Sequence, residues 1–231
     1  GNPAAWKRHA VVHKAVKKLR KRSEDGGVVQ QRQREVAEEA ARIAAQTGDA
    51  YHELLADGAR YVSKQDTRRA ARAYREAIAL RPNRITGYYN LGAGLSNSGH
   101  FVEAAQRFLQ AKKRLPVGSE FWAKATARAI SMLTQEVCDE VAKPEWWNDE
   151  GLKALSARVV RAAPDDMVAH QVRAMVLSGE TTAGEEVPRS AAELKKAATH
   201  FERAAALCPA PAGKAEFAGQ ATLCRSQAGV M

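Results

Sequence analysis

The residues best suited to chemistry are three cysteines, Cys138, Cys208 and Cys224, and two histidines, His9 and His13, which stand four residues apart. A zinc or redox site needs thiols paired at CxxC or similar spacing, and none of these cysteines has such a neighbour. His9 and His13 would share a helix face, but they lie in a lysine-rich stretch that repels a cation. Cys138 could act as a nucleophile only with a lowered pKa, and the adjacent Glu136, Asp139 and Glu140 act in the opposite sense. His100 falls in a turn, His170 falls in a slot that packing favours, and Glu38-Glu39 and Glu185-Glu186 read as surface acids. No Gly-rich phosphate loop or nucleophile motif occurs. The sequence therefore predicts no catalytic residues, no metal site and no cofactor, and the protein reads as a non-enzyme.

What the sequence does contain is a repeat. Over residues 51–116, Gly58 recurs as Gly92, Ala70 as Ala104, Tyr74 as Phe108, Ala77 as Ala111 and Pro82 as Pro116, each at an offset of 34 residues. A fixed period of this length is the mark of stacked helical repeats. Small residues let two helices cross closely, aromatics fill the space between units, and proline ends each unit because it cannot continue a helix. The second copy, Tyr88, Leu91-Gly92, Leu95, Ala104, Phe108 and Pro116, resembles the tetratricopeptide repeat (TPR), with Tyr88 in place of the usual Trp and Leu95 in place of the usual Tyr. The resemblance implies an all-α, right-handed superhelical array of antiparallel helix pairs.

Taken in order, residues 28–48 read as a capping helix with Val29, Val36, Ala40 and Ile43 on its apolar stripe. Four repeats follow at 49–84, 85–118, 119–164 and 165–209, then a C-terminal capping helix at 211–228 with Phe217, Leu223 and Cys224 inward. Asp49, Asp66, Ser119 and Asn148 are helix N-caps, and Ser190-Ala-Ala-Glu193 is a capping box. Gly99 serves the turn between the second pair. The third repeat carries a first helix running to about residue 141 and then an inserted turn holding Trp146-Trp147. Adjacent tryptophans point in different directions. Either one packs and the other is an exposed anchor for a partner, or both pack under the turn.

The TPR resemblance implies a concave groove, lined by each repeat's first helix, that binds a helical or extended protein segment. Here His52, Leu55, Ala59, Thr86, Tyr89, Asn90, Ala93, Asn97, Ala123, Lys124 and Ala127 fall on that lining. Related co-chaperones grip a C-terminal carboxylate with a Lys and an Asn on the first repeat. Leu55 and Ala59 stand there instead, so chaperone-tail binding is excluded.

The net charge of +10 is unevenly placed. Lys7, Arg8, Lys14, Lys17, Lys18, Arg20, Lys21 and Arg22 give residues 1–22 a charge of +8 with no acid, which leaves about +2 for the rest. Val12, Ala15, Val16 and Leu19 recur at helical spacing within this arm. Four readings stand: an anion-binding arm for RNA or an acidic protein surface, an anchor on an anionic membrane, part of an import leader, or a solvated tail. No apolar run is long enough for a transmembrane helix. Odd, unpaired cysteines suit an intracellular, reducing compartment, either cytoplasm or the interior of a plastid or mitochondrion.

From Val102 onward the chain also resembles a divergent repeat family of haptophyte and related marine algae. The resemblance rests on Glu-Ala-Ala-Gln-Arg at 103–107, Cys-Asp-Glu-Val-Ala-Lys-Pro-Glu-Trp-Trp-Asn-Asp-Glu-Gly-Leu-Lys-Ala-Leu-Ser-Ala-Arg at 138–158, Arg-Ala-Met-Val-Leu-Ser-Gly at 173–179 and Arg-Ser-Ala-Ala-Glu-Leu-Lys at 189–195. It implies no activity. The expected function is a scaffold in a larger assembly whose basic arm docks on an acidic surface, with an RNA-associated subunit or a peripheral membrane adaptor as the alternatives.

Overall fold

The computed structural model describes residues 26–181 and 188–230; the basic arm at 1–22 lies outside them. Among the described residues there are ten α-helices and no strand. They are α1 (Gly26–Thr47), α2 (Ala50–Ser63), α3 (Thr67–Leu80), α4 (Ile85–Asn97), α5 (Phe101–Lys113), α6 (Glu120–Leu133), α7 (Asp149–Ala162), α8 (Met167–Ser178), α9 (Ala191–Leu207) and α10 (Pro211–Gly229). Each helix packs on its neighbours in sequence, which is how a solenoid of helix pairs is built.

The helix starts are set locally. Asp49, Asp66, Ser119, Asn148 and Asp166 each accept a hydrogen bond from a backbone N–H in the first turn of the helix that follows. Ser190 and Glu193 form the reciprocal capping box of α9. Gly99 turns the chain into α5 at φ +81°, and Gln65, 34 residues earlier, holds φ +60° without being glycine.

The repeat residues meet within each pair. A Cβ on Gly58 would stand 2.3 Å from the Tyr74 ring, and one on Gly92 would stand 3.0 Å from the Phe108 ring. The glycines of α2 and α4 thus make room for the aromatic ring of their own repeat, not for the alanine backbone opposite. Tyr51, Leu55, Ala70, Tyr74, Ala77, Leu91, Leu95, Ala104 and Phe108 close into one core cluster. Trp122, Ile130, Leu152, Val159, Val172 and Val176 join α6, α7 and α8 in a second, and Phe201, Phe217 and Cys224 tie α8, α9 and α10 in a third.

Three expectations are corrected. The helix begun by Ser119 ends at Leu133, not near 141. Lys143 folds back and donates hydrogen bonds from Nζ to the Leu133 carbonyl (2.8 Å) and the Cys138 carbonyl (2.6 Å), satisfying carbonyls that a longer helix would have used. In α10, Phe217, Ala221, Cys224 and Ala228 form the buried row, and Leu223 is exposed on another side. In α1 the stripe at Val29, Val36 and Ile43 faces outward. The helix meets α2 through its alanine side, where Ala44 is buried and Ala37 half-buried.

Candidate partner-binding face

The first helix of each pair offers one open side, and the 34-residue register shows which. Positions Ala56, Asn90 and Lys124 are equivalent, and all three are half-buried. Arg60 and Arg128 flank Gly94 in the next equivalent set, and Ser63, Asn97 and Ser131 form a third. None of these side chains is fully buried. On α4 the sequence-derived residues Thr86, Asn90, Ala93 and Asn97 run along this side, Thr86 and Asn97 exposed and the other two half-buried. On α6 the row is Phe121, Lys124 and Arg128, with Phe121 exposed.

Not every residue expected in the lining is there. Leu55 and Ala59 are buried, and so are Ala123 and Ala127. They sit one position off the open side, toward the neighbouring helices, and fill the cores described above. His52 is half-buried at the start of α2, its Nδ1 3.1 Å from Thr47 Oγ1 and 3.4 Å from Asp49, so it serves the α1–α2 junction. Sequence reasoning missed Ala56, Arg60, Arg128 and Ser131. Carrying Asn90 and Lys124 through the repeat period finds the first of these directly.

Tyr89 and Arg128 connect two helices across this face. The Arg128 guanidinium donates to the Tyr89 hydroxyl at 2.5 Å, and the Tyr89 ring meets Phe108 edge-on with centroids 5.4 Å apart. Tyr89 is therefore anchored from below by the core and from the side by α6, leaving Asn90 and Ala93 as its open neighbours. Lys124 pairs with Glu120 at 2.5 Å, and that hydrogen bond raises its pKa above the ordinary ammonium value. The face is mixed in character: an amide ridge on α4 beside a cationic and aromatic ridge on α6.

Pair-to-pair geometry is held by the residue in the aromatic slot. The Tyr88 hydroxyl donates to the Pro82 carbonyl at 3.1 Å, six residues back, and Arg114 donates both to that carbonyl (3.0 Å) and to the Tyr88 oxygen (3.0 Å). His170 does the same in α8: its Nε2 lies 2.9 Å from the Pro164 carbonyl, again six residues back. The proline that ends a unit thus supplies an acceptor to the first helix of the next.

Helix pairs with these tied junctions overlay on known structures. The chain is similar to the crystal structure of MamA protein, at 18% identity over 80% of this chain and 88% of that one, with a TM-score of 0.51. The fold is a TPR-type solenoid. Two further solved structures resemble the chain: a MamA RS-1 ArsTM double mutant (19% identity, 78% and 97% of the two chains, TM-score 0.49) and YrrB, described as a TPR protein with an unusual peptide-binding site (19% identity, 83% and 88%, TM-score 0.49). No family model matches this TPR-type chain, and no curated protein matches it. The resemblance to the algal family therefore rests on its sequence words alone.

The Trp146-Trp147 insertion does not present an exposed indole. Both rings are half-buried against the Trp122, Ile130 and Leu152 core, with centroids 5.9 Å apart. Lys112 lies over the Trp146 ring at 4.3 Å and Lys143 over the Trp147 ring at 5.1 Å. Burial, with Arg158 and Lys113 close by, pushes Lys112 below the ordinary ammonium range. The pair acts as a wedge that holds the insertion to α6 and α7.

Elsewhere the titratable groups serve structure. Cys138, Cys208 and Cys224 are buried free thiols, and burial, reinforced by Glu180, pushes Cys224 up to about 11. Among the described residues no cluster of three or more His, Cys, Asp or Glu could hold a metal, and no helix is long and apolar enough to cross a membrane. Arg189 is buried and pairs with Asp149 at 2.6 Å, and Lys153 bridges Asp149 (3.0 Å) and Glu193 (2.5 Å), so α7 and α9 are joined at their N-termini. Burial opposes ionisation of Asp149, but hydrogen bonds from Arg189 and Lys153 outweigh it and hold the carboxyl below its usual range.

Proposed function

We propose that the protein is a non-enzymatic scaffold that holds a protein segment against the open side of α2, α4 and α6. The observation that carries this reading is the row Asn90, Ala93, Asn97, Lys124 and Arg128. These residues are at least partly open, Asn90 and Lys124 stand at equivalent repeat positions, and α4 and α6 are joined across the row by the Tyr89–Arg128 bond. Amides can pair with the backbone of an extended or helical segment, alanine leaves room for its side chains, and the lysine and arginine favour acidic residues within it. The basic residues at 1–22 are assigned to a second contact, an acidic surface in a larger assembly.

Salt dependence tests the division of labour. Binding through the open side is expected to weaken only slightly between low and moderate salt, whereas binding to RNA phosphates through the arm falls steeply with salt concentration. RNA binding by the full chain that falls steeply with salt and disappears when residues 1–22 are deleted would replace the scaffold reading with the RNA-associated one.

A further inference from the structure

The outward stripe of α1 falls in the repeat register. Val36, Ala40 and Ile43 stand 34 residues before Ala70, Tyr74 and Ala77, and 68 before Ala104, Phe108 and Ala111. In α3 and α5 those positions are buried under the first helix of the same repeat. In α1, Val36 is 61% exposed and Ile43 39% exposed, and Val29, one heptad earlier, is 46% exposed. On its other side α1 packs on α2, as α3 packs on α4 and α5 on α6. So α1 has the position and the face of a second repeat helix, and among the described residues nothing covers that face.

We propose that residues 4–22 are the missing first helix and seat on this stripe as an antiparallel hairpin. The segment immediately precedes α1, and the three residues Ser23-Glu24-Asp25 suffice for a tight αα turn. The two apolar patterns match in spacing. Leu19, Val12 and Ala5 are seven apart, as are Val29, Val36 and Ile43. Because both helices rise equally per residue, a turn at 23–25 that sets Leu19 opposite Val29 also sets Val12 opposite Val36 and Ala5 opposite Ile43. Charge permits the docking, since the segment carries no acid and the stripe is bordered by Glu35 and Glu39 beside a single Arg32, Glu39 also pairing with Arg42. Wound as a helix, its Lys7, Lys14, Lys18 and Lys21 fall on the side opposite Val12 and Leu19. Docking then turns them into a fixed cationic row alongside α1. The arm is thus the first half of the repeat whose second half is α1, and it displays its charge outward.

Full-length protein carrying Val12→Cys and Val36→Cys tests this under mild oxidation at low protein concentration, the three native thiols being buried. An intramolecular disulfide is expected, formed at least about tenfold faster than in a Lys14→Cys/Val36→Cys control, because bridging demands close and facing Cβ atoms. Equal rates in the two variants, or no bridge, overturn the proposal. A bridge formed between chains overturns it too and gives the stripe to a second copy. As a second measurement, amide exchange over residues 12–19 is expected to speed up at least about tenfold in Val36→Asp, and unchanged exchange counts against docking. Neither readout involves a partner, so each stands apart from the scaffold reading.

Discussion

The Nδ1 atoms of His170 on α8 and His200 on α9 lie 3.0 Å apart. A carbonyl only accepts, so His170 Nε2–H donates to the Pro164 carbonyl, and in that neutral tautomer its Nδ1 carries the lone pair and accepts from His200. A hydrogen bond between two Nδ1 atoms needs a lone pair on one of them, so the two rings cannot both be charged in this arrangement. Burial first, then His170 and Arg173, lower the His200 pKa from 6.5 to about 4. In that interval the unfolded chain binds the proton more readily than the folded one, so stability is full above pH 6.5 and is lost as pH falls toward 4. Thermal melts across this window are expected to show a falling midpoint, and His200→Gln, which keeps a donor, is expected to flatten it. An unchanged slope in that variant would remove the pair from the account.

A second acid-sensitive contact acts at lower pH. Hydrogen bonds from Lys153, then from the Ser190 backbone, bring Glu193 from 4.5 to about 2. Its contribution is present above pH 4.5 and is lost as pH falls toward 2. Glu193→Gln is expected to remove the steeper part of the acid transition below pH 4.5 while leaving the His200 window intact. Loss of both together would show that the two contacts are not independent.

The two repeat glycines are not equivalent. Alanine favours a helix over glycine by about 1 kcal/mol, but overpacking a filled core costs about 1–3 kcal/mol. At Gly58 the added carbon would lie 2.3 Å from a buried tyrosine ring, and at Gly92 it would lie 3.0 Å from Phe108. Gly58→Ala is expected to lower unfolding stability by about 1–2 kcal/mol and Gly92→Ala to be near neutral. Denaturant titration checks the order, and the reverse order contradicts this packing.

Gln65 occupies the slot that Gly99 fills one repeat later, and both have positive φ. The left-handed region costs a residue with a Cβ about 1–2 kcal/mol. Gln65→Gly is therefore expected to raise stability by about 1 kcal/mol, measured in the same titration. A loss of stability would mean that the glutamine side chain contributes more than its backbone costs.

For the insertion, the Trp147 indole N–H is buried and has no hydrogen-bond partner among the described residues. Trp147→Phe is expected to cost less than about 1 kcal/mol, and Trp147→Ala about 2 kcal/mol, in stability and not in binding. The opposite pattern would restore the tryptophans as partner anchors.

Much of this was legible in the sequence because it is local. Asp49, Asp66, Ser119, Asn148 and the Ser190–Glu193 box act within a single turn, and the 34-residue period fixes which small and aromatic residues face each other. The failures are non-local. An apolar stripe predicts burial but not the covering element, so Val36 and Ile43 were placed inward while α1 turns its alanines to α2. The end of α6 at Leu133 has no glycine or proline signal, because the group that satisfies its carbonyl is Lys143, ten residues away. The open side lies one residue from Leu55 and Ala59, a step in angle that periodicity does not resolve without the packing on either flank.

The central claim is that the side bearing Asn90 and Lys124 binds a protein segment. Peptides selected from a random display library against the full chain provide the direct measurement, with affinities compared for the original protein, an Asn90→Arg/Lys124→Glu variant and an Arg72→Glu variant on the exposed side of α3. The account predicts that the first variant weakens binding at least about tenfold and the second leaves it unchanged. Selected peptides whose affinity is indifferent to Asn90 and Lys124 would contradict it.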